Sequence, residues 1–222
     1  MTHQKTPEDE VQKVINLFTS GQINESLNFA EALLTEYPDD ALLHNVSGAC
    51  YESIGKQNEA IKSYKRAIKI NPNYAQAHNN LGNSYKNQGN LNEAFKCYHF
   101  AISIDPGFAE AHNNLGNAFK ADNQVEAAIE SYLSAIEHNI NYAEAFNNLG
   151  IVLNDLGNFN TSVKAYMKIL DLNPNYAEAH YNLGITFQRF GEVNSAIKCY
   201  ETSISLQEDY YCLLYTSDAA DE

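Results

Sequence analysis

The chain has 222 residues, is 44% hydrophobic and carries a formal net charge of −14. Its length and apolar fraction suffice for a buried core, and no apolar run approaches the roughly 18 residues that a membrane span needs. Arginine occurs only at Arg66 and Arg189, so phosphate-rich partners (nucleic acid, anionic membranes) are not expected, and neutral or basic peptides are better candidates.

Residues 1–6 read as a short N-terminal tail, with no basic region leading into an apolar stretch of the secretory kind. From residue 7 the chain repeats. Gly48, Gly82, Gly116, Gly150 and Gly184 recur at a spacing of 34, all but Gly48 directly after a leucine. They define six units without insertion or deletion: 7–40, 41–74, 75–108, 109–142, 143–176 and 177–210. The first unit matches least, with Val14 in the glycine position and Ser26 in an alanine position. That suits a terminal unit, which meets only one neighbour.

Within a unit the pattern predicts two helices. In the third, Ala77, Leu81 and Tyr85 recur every four residues over 75–88, which is helical spacing. A glycine follows in most units (Gly21, Gly55, Gly89, Gly157, Gly191), and Asn123 replaces it in the fourth. Both residue types tolerate the left-handed conformation that ends many helices. The second helix, 92–104, carries Ala94, Phe95, Tyr98, Ala101 and Ile102 at helical spacing. Pro38, Pro72, Pro106 and Pro174 mark its stop, whereas Ile140 and Glu208 depart from that rule. Asn73 with Gln76, Asn141 with Glu144 and Asn175 with Glu178 predict capping boxes at the next unit. Gly82 and Gly116 are expected to face Ala94 and Ala128 across the helix pair. Tyr64, Tyr98, Tyr132, Tyr166 and Tyr200 form one aromatic column. After residue 210 the pattern stops. "CLLYTSDAADE" at 212–222 resembles the translation of a transposon adapter used in sequencing libraries, so 211–222 is expected to be a non-repeat tail of adapter-derived read-through. The apolar face of the last pair, Ile197, Tyr200 and Ile204, is then expected to be exposed.

A period of 34, with Leu-Gly, an aromatic, then Ala, Tyr, Ala and Pro at these offsets, resembles the tetratricopeptide repeat family over residues 7–210. The resemblance implies an all-α fold: a right-handed superhelical solenoid of antiparallel helix pairs. It also implies that the first helix of each pair lines the concave side.

Candidate chemistry is sparse. Cys50, Cys97, Cys199 and Cys212 are scattered without CxxC spacing, which points to a reducing compartment and a cytoplasmic protein. His44, His78, His112 and His180 form a column, with Phe146 in the remaining unit. Zinc ligands must lie about 2.0–2.1 Å from one ion, while packed helices are roughly 8–10 Å apart. One histidine per unit therefore reads as packing, not as a metal site. No nucleophile elbow, phosphate loop, metalloprotease motif or dinucleotide fingerprint occurs. No catalytic residue, cofactor, metal or small-molecule ligand is expected for these residues.

Asparagine is the residue that needs an explanation. "AHNNLG" recurs at 77–82 and 111–116, as "AFNNLG" at 145–150 and as "AHYNLG" at 179–184. Asn80, Asn114, Asn148 and Asn182 precede the buried leucine, so a 100° helical step turns them away from its contact. Val46 breaks this column in the second unit. Asn79, Asn113 and Asn147 lie beside it, with Tyr181 in the last unit, and Asn83 and Asn117 sit one turn on. Asparagine is a mediocre helix former, and its amide offers both donors and an acceptor. A ladder of amides along the groove is therefore expected to hold the main chain of an extended peptide. Unstructured protein segments are the expected partners. The alternative is amide-to-amide bracing between units. "AEAHNNLGNAF" at 109–119 is also similar to the repeat arm of peptide O-linked N-acetylglucosamine transferases. That resemblance covers Asn80, Asn114, Asn148 and Asn182 and implies a second reading, the substrate arm of a larger glycosyltransferase. A further subfamily binds acidic chaperone tails through groove lysines and arginines. Here the matching positions carry Asn, Tyr or His, so that specificity is not expected.

Overall fold

Helix termination sets the architecture. In the computed structural model, which describes residues 6–218 and side chains through Gln207, Gly21, Gly55, Gly89, Gly157 and Gly191 all adopt positive φ. Asn123 (φ 59°) is the one non-glycine to do so among the described residues, as its place in the repeat required. Most of the tail expected at 1–6, and residues 219–222 of the tail expected at 211–222, lie outside the described residues.

These turns separate helices into pairs. The first compact unit, residues 6–122 of the described chain, holds α1 (Glu8–Thr19), α2 (Ile23–Glu36), α3 (Ala41–Ser53), α4 (Gln57–Ile70), α5 (Ala75–Asn87), α6 (Leu91–Ile104) and α7 (Ala109–Ala121). The second, from residue 123, holds α8 (Val125–His138), α9 (Ala143–Asp155), α10 (Phe159–Leu172), α11 (Ala177–Phe190) and α12 (Val193–Asp218). All described regular structure is helical, as expected of an all-α solenoid. In the first unit each helix packs on the next, and α1 on α3, α3 on α5 and α5 on α7 pack as well. The alternate helices α2, α4 and α6 do not pack on one another. The odd-numbered helices are therefore drawn closer together and form the inner layer of this unit.

The core is a stack of aromatic-on-glycine contacts. Tyr64, Tyr98, Tyr132 and Tyr166 are essentially fully buried. A Cβ placed on Gly82 would lie 2.6 Å from Tyr98 Cε1, and one on Gly48 would lie 2.5 Å from Tyr64 Cε1. The glycines thus face the tyrosines. The expected partner of Gly82, Ala94, is buried in the cluster that also holds Tyr98 and Leu115. The glycine is required because a ring must lie flat on the helix backbone at native packing density.

One local expectation changes. The asparagines thought to open capping boxes are not N-caps: α5, α9 and α11 are capped by Tyr74, Tyr142 and Tyr176, without side-chain cap bonds. Instead Asn71, Asn139 and Asn173 fold the turns, each side chain accepting from the backbone N–H two residues on. Asp40 does cap α3, accepting from Leu43 N at 3.0 Å. At the end of the described chain no proline stops α12, which runs from Val193 to Asp218.

Candidate functional site: the amide ladder and the inner cleft

The histidine column straps each unit to the preceding turn. Nε2 of His44, His78 and His112 lies 3.0 Å from the carbonyl oxygens of Pro38, Pro72 and Pro106, and that of His180 lies 2.9 Å from Pro174 O. A carbonyl only accepts, so each histidine carries its proton on Nε2 and donates. Ile140 and Phe146 depart together where proline and histidine would stand. Half-burial pushes the His44 pKa down. Among the described residues no group of three or more His, Cys, Asp or Glu is placed to hold a metal.

The asparagines form a ladder with a stagger of 35 residues. Asn80 Nδ2 donates to Asn45 Oδ1 (3.1 Å), Asn114 Nδ2 to Asn79 Oδ1 (3.0 Å) and Asn182 Nδ2 to Asn147 Oδ1 (2.9 Å). The receiving amides then donate onward: Asn79 Nδ2 to Glu110 Oε1 at 2.8 Å and Asn147 Nδ2 to Glu178 Oε1 at 3.0 Å. The Asn79 and Asn147 rungs therefore join one helix pair to the next through an amide whose donor and acceptor are both used. Burial without such partners would cost about 1–3 kcal/mol per group.

This geometry divides the nine candidate residues. Asn79 and Asn113 are 0% exposed, and Asn147 and Asn114 are buried as well. That burial corrects their expected place along an open groove; Asn79 and Asn147 sit between helix pairs, bonded to Glu110 of α7 and to Glu178 of α11. Asn80, Asn83, Asn117, Asn148 and Asn182 are half-buried and keep an accessible edge. Asn83 Oδ1 accepts from the Tyr98 phenol at 2.8 Å. Burial pushes the Tyr98 and Tyr64 pKa values well up, so both phenols remain donors at any physiological pH.

Sequence reasoning missed four participants. Asn45 stands in the same 34-residue column as Asn79, Asn113 and Asn147 and was legible from that register. Glu110 and Glu178 share a column, but their role needs the position of the neighbouring helix. Gln76 in that column donates instead to Asn80 Oδ1, at 3.0 Å.

A cleft of about 510 Å³ opens on the inner layer of the first unit. It is lined by Phe18 of α1, by Asn45, Val46, Ala49, Glu52 and Ser53 of α3, by Tyr64, and by Gln76 and Asn80 of α5. At the other end of the chain Tyr181, Tyr200, Ser203, Ile204 and Gln207 line a second hollow. Ile197 and Ile204 there are half exposed, as expected, while Tyr200 is partly covered and donates to Gln188 Oε1 at 2.7 Å.

Comparison with known proteins agrees with this architecture. Family models described as "TPR repeat" match residues 48–89, 82–123 and 116–157, and one described as "Tetratricopeptide repeat" matches 141–209. No curated protein sequence matches. Among solved structures, MamA is 27% identical over 74% of this chain and 96% of its own, with a TM-score of 0.66. YrrB, described as a TPR protein with an unusual peptide-binding site, is 21% identical over 85% and 97%, at a TM-score of 0.61. PilF of Pseudomonas aeruginosa is 16% identical over 97% of both chains, at 0.78. The last two likenesses bear on fold alone.

Proposed function

Since the chain belongs to the tetratricopeptide repeat family, we propose that it is a protein-interaction module whose inner face holds extended peptide segments, chiefly through their main chain. The observation that carries this reading is the cleft on α1, α3 and α5, with amide edges at its floor. Asn80 supplies an open amide edge there, and Asn83, Asn117, Asn148 and Asn182 keep comparable edges on the first helices of their own repeats. The buried amides Asn79, Asn113, Asn114 and Asn147 hold the inner helices in register and so support the face indirectly. Amides pair with both the N–H and the C=O of a strand, so the groove tolerates varied side chains. The peptide-binding description of a structural neighbour adds a parallel for such use of the fold.

A second reading, the substrate arm of a peptide-modifying glycosyltransferase, rests on the same amide columns. The genomic sequence past codon 211 tests it: an α/β nucleotide-sugar domain there selects it.

The main-chain reading is tested with a short, uncharged, unstructured peptide and its backbone N-methylated counterpart, followed by fluorescence anisotropy. Scrambling the sequence should change affinity less than about threefold, since each rung contributes through the backbone alone. N-methylation should remove binding. Equal binding of the N-methylated peptide, or none by any peptide, overturns the proposal.

A further inference from the structure

Two departures from the repeat meet in one cleft. The column that is Asn80, Asn114, Asn148 and Asn182 elsewhere is Val46 in the second unit. The column that reads Lys86, Lys120, Asn154 and Gln188 elsewhere is Glu52 in the same unit. Val46 and Glu52 both line the 510 Å³ cleft, with Phe18 and Ala49. The amide that would meet a main chain is thus replaced by an apolar wall, and a carboxylate stands one and a half turns along the same helix.

Glu52 holds two neutral donors: the Tyr64 phenol on Oε2 at 3.1 Å and Asn87 Nδ2 on Oε1 at 3.2 Å. No Lys or Arg among the described residues pairs with it. The arginines and Lys96 bond elsewhere, Arg66 to Asp39, Arg189 to Asp155 and Lys96 to Glu93. Each carboxylate oxygen can accept more than one bond.

We infer that this cleft selects one basic side chain, Lys or Arg, from an extended protein segment lying on the inner face. The inference rests on the groove reading above and adds the side chain that the groove chooses. Lys and Arg lay an apolar stem on hydrophobic surface while the charged head reaches a polar partner. Phe18, Val46 and Ala49 offer the first and Glu52 the second. A formal net charge of −14 draws cationic segments toward the whole chain. An acidic or aliphatic side chain leaves Glu52 either opposed or without a counter-charge.

The test uses the uncharged peptide above and two versions of it, with one central Arg or one central Glu, at low and high salt. The Arg peptide should bind about tenfold to a hundredfold tighter than the uncharged one, the range for hydrogen bonds to charged groups. Salt should shrink that advantage. Glu52→Lys, which restores the residue of the next two units, should reverse the order of the Arg and Glu peptides. Glu52→Gln removes the charge and keeps one acceptor oxygen, for Tyr64 or for Asn87, and should erase the Arg advantage over the uncharged peptide. Val46→Asn should weaken the advantage with Glu52 intact. If Arg and uncharged peptides bind the native chain equally, the pocket is wrong and the groove reading survives. If no peptide binds, both fall. An unchanged order in both Glu52 variants, with native circular dichroism, also overturns the inference.

Discussion

The same register is solved in opposite ways at two places in the molecule. In the first unit Asn79 is sealed, accepting from Asn114 and donating to Glu110. In the last helix pair the equivalent residue is Tyr181, 51% exposed, with its ring 5.8 Å from that of Tyr200. An amide is used where a following helix supplies both its partners. At Tyr181 no such pair of amide partners is at hand, and an amphipathic ring holds the position against Tyr200. A buried amide is stable only when its hydrogen bonds are complete, whereas a tyrosine keeps its body on apolar surface and its hydroxyl in water. The contrast extends to packing. Gly82 and Gly184 both lie under a tyrosine, yet Tyr98 is fully enclosed and Tyr200 is not.

The strongest challenge to this contrast is Asn79→Leu. It strands the buried Asn114 donor and the half-buried Glu110 acceptor, so urea unfolding should show a loss of about 2–3 kcal/mol, most of it from the Asn114 amide. Tyr181→Asn should change stability by no more than about 1 kcal/mol, the scale of an aromatic pair. Comparable losses from the two changes would mean that the ladder does not brace.

Gly82→Ala should cost about 1–3 kcal/mol by overpacking against Tyr98. Gly184→Ala should cost clearly less in the same melts, because Tyr200 has solvent on one side and can move. Asn123→Ala is a smaller test at a turn. Its left-handed conformation disfavours a plain Cβ by roughly 1–2 kcal/mol, and Asn123→Gly should recover that loss.

The smallest effect concerns pH. Desolvation, partly offset by the Pro38 hydrogen bond, lowers the His44 pKa below its ordinary 6.5. The folded state therefore favours the neutral ring. Its contribution is complete above pH 6.5 and is lost as pH falls through the lower folded value. Thermal melts should show a small downward shift on acidification, absent in His44→Phe, the residue type that Phe146 shows the fold accepts at this register. A shift of the opposite sign would mean that the strap prefers the charged ring.

The helix pairs, their turns and even the left-handed Asn123 were legible because each depends on residues a few positions apart, repeated every 34. Aromatic columns were legible for the same reason. The pairing of Gly82 with Tyr98 was misassigned to Ala94. Both lie on one face of α6 a turn apart, and only the real approach of the two helices tells which one meets the glycine. The tyrosine caps were missed because nearby asparagines have stronger capping chemistry, and here they fold the turn instead.

The amides mark the boundary between these kinds of knowledge. Sequence alone determined that two asparagine columns exist, that they lie on neighbouring stripes of the first helices, and that one is interrupted by Val46. It also determined that Pro and His are lost together at Ile140 and Phe146. Only the tertiary structure decided that Asn79, Asn113 and Asn147 turn inward and that Asn80 keeps an open edge. Periodicity fixes a residue's angle on its own helix, but a 35-residue hydrogen bond depends on how far the next helix slides along it. That offset runs through α6, whose Tyr98 packs on Gly82 of α5 and clusters with Leu115 and Ala118 of α7, and no single helix carries it.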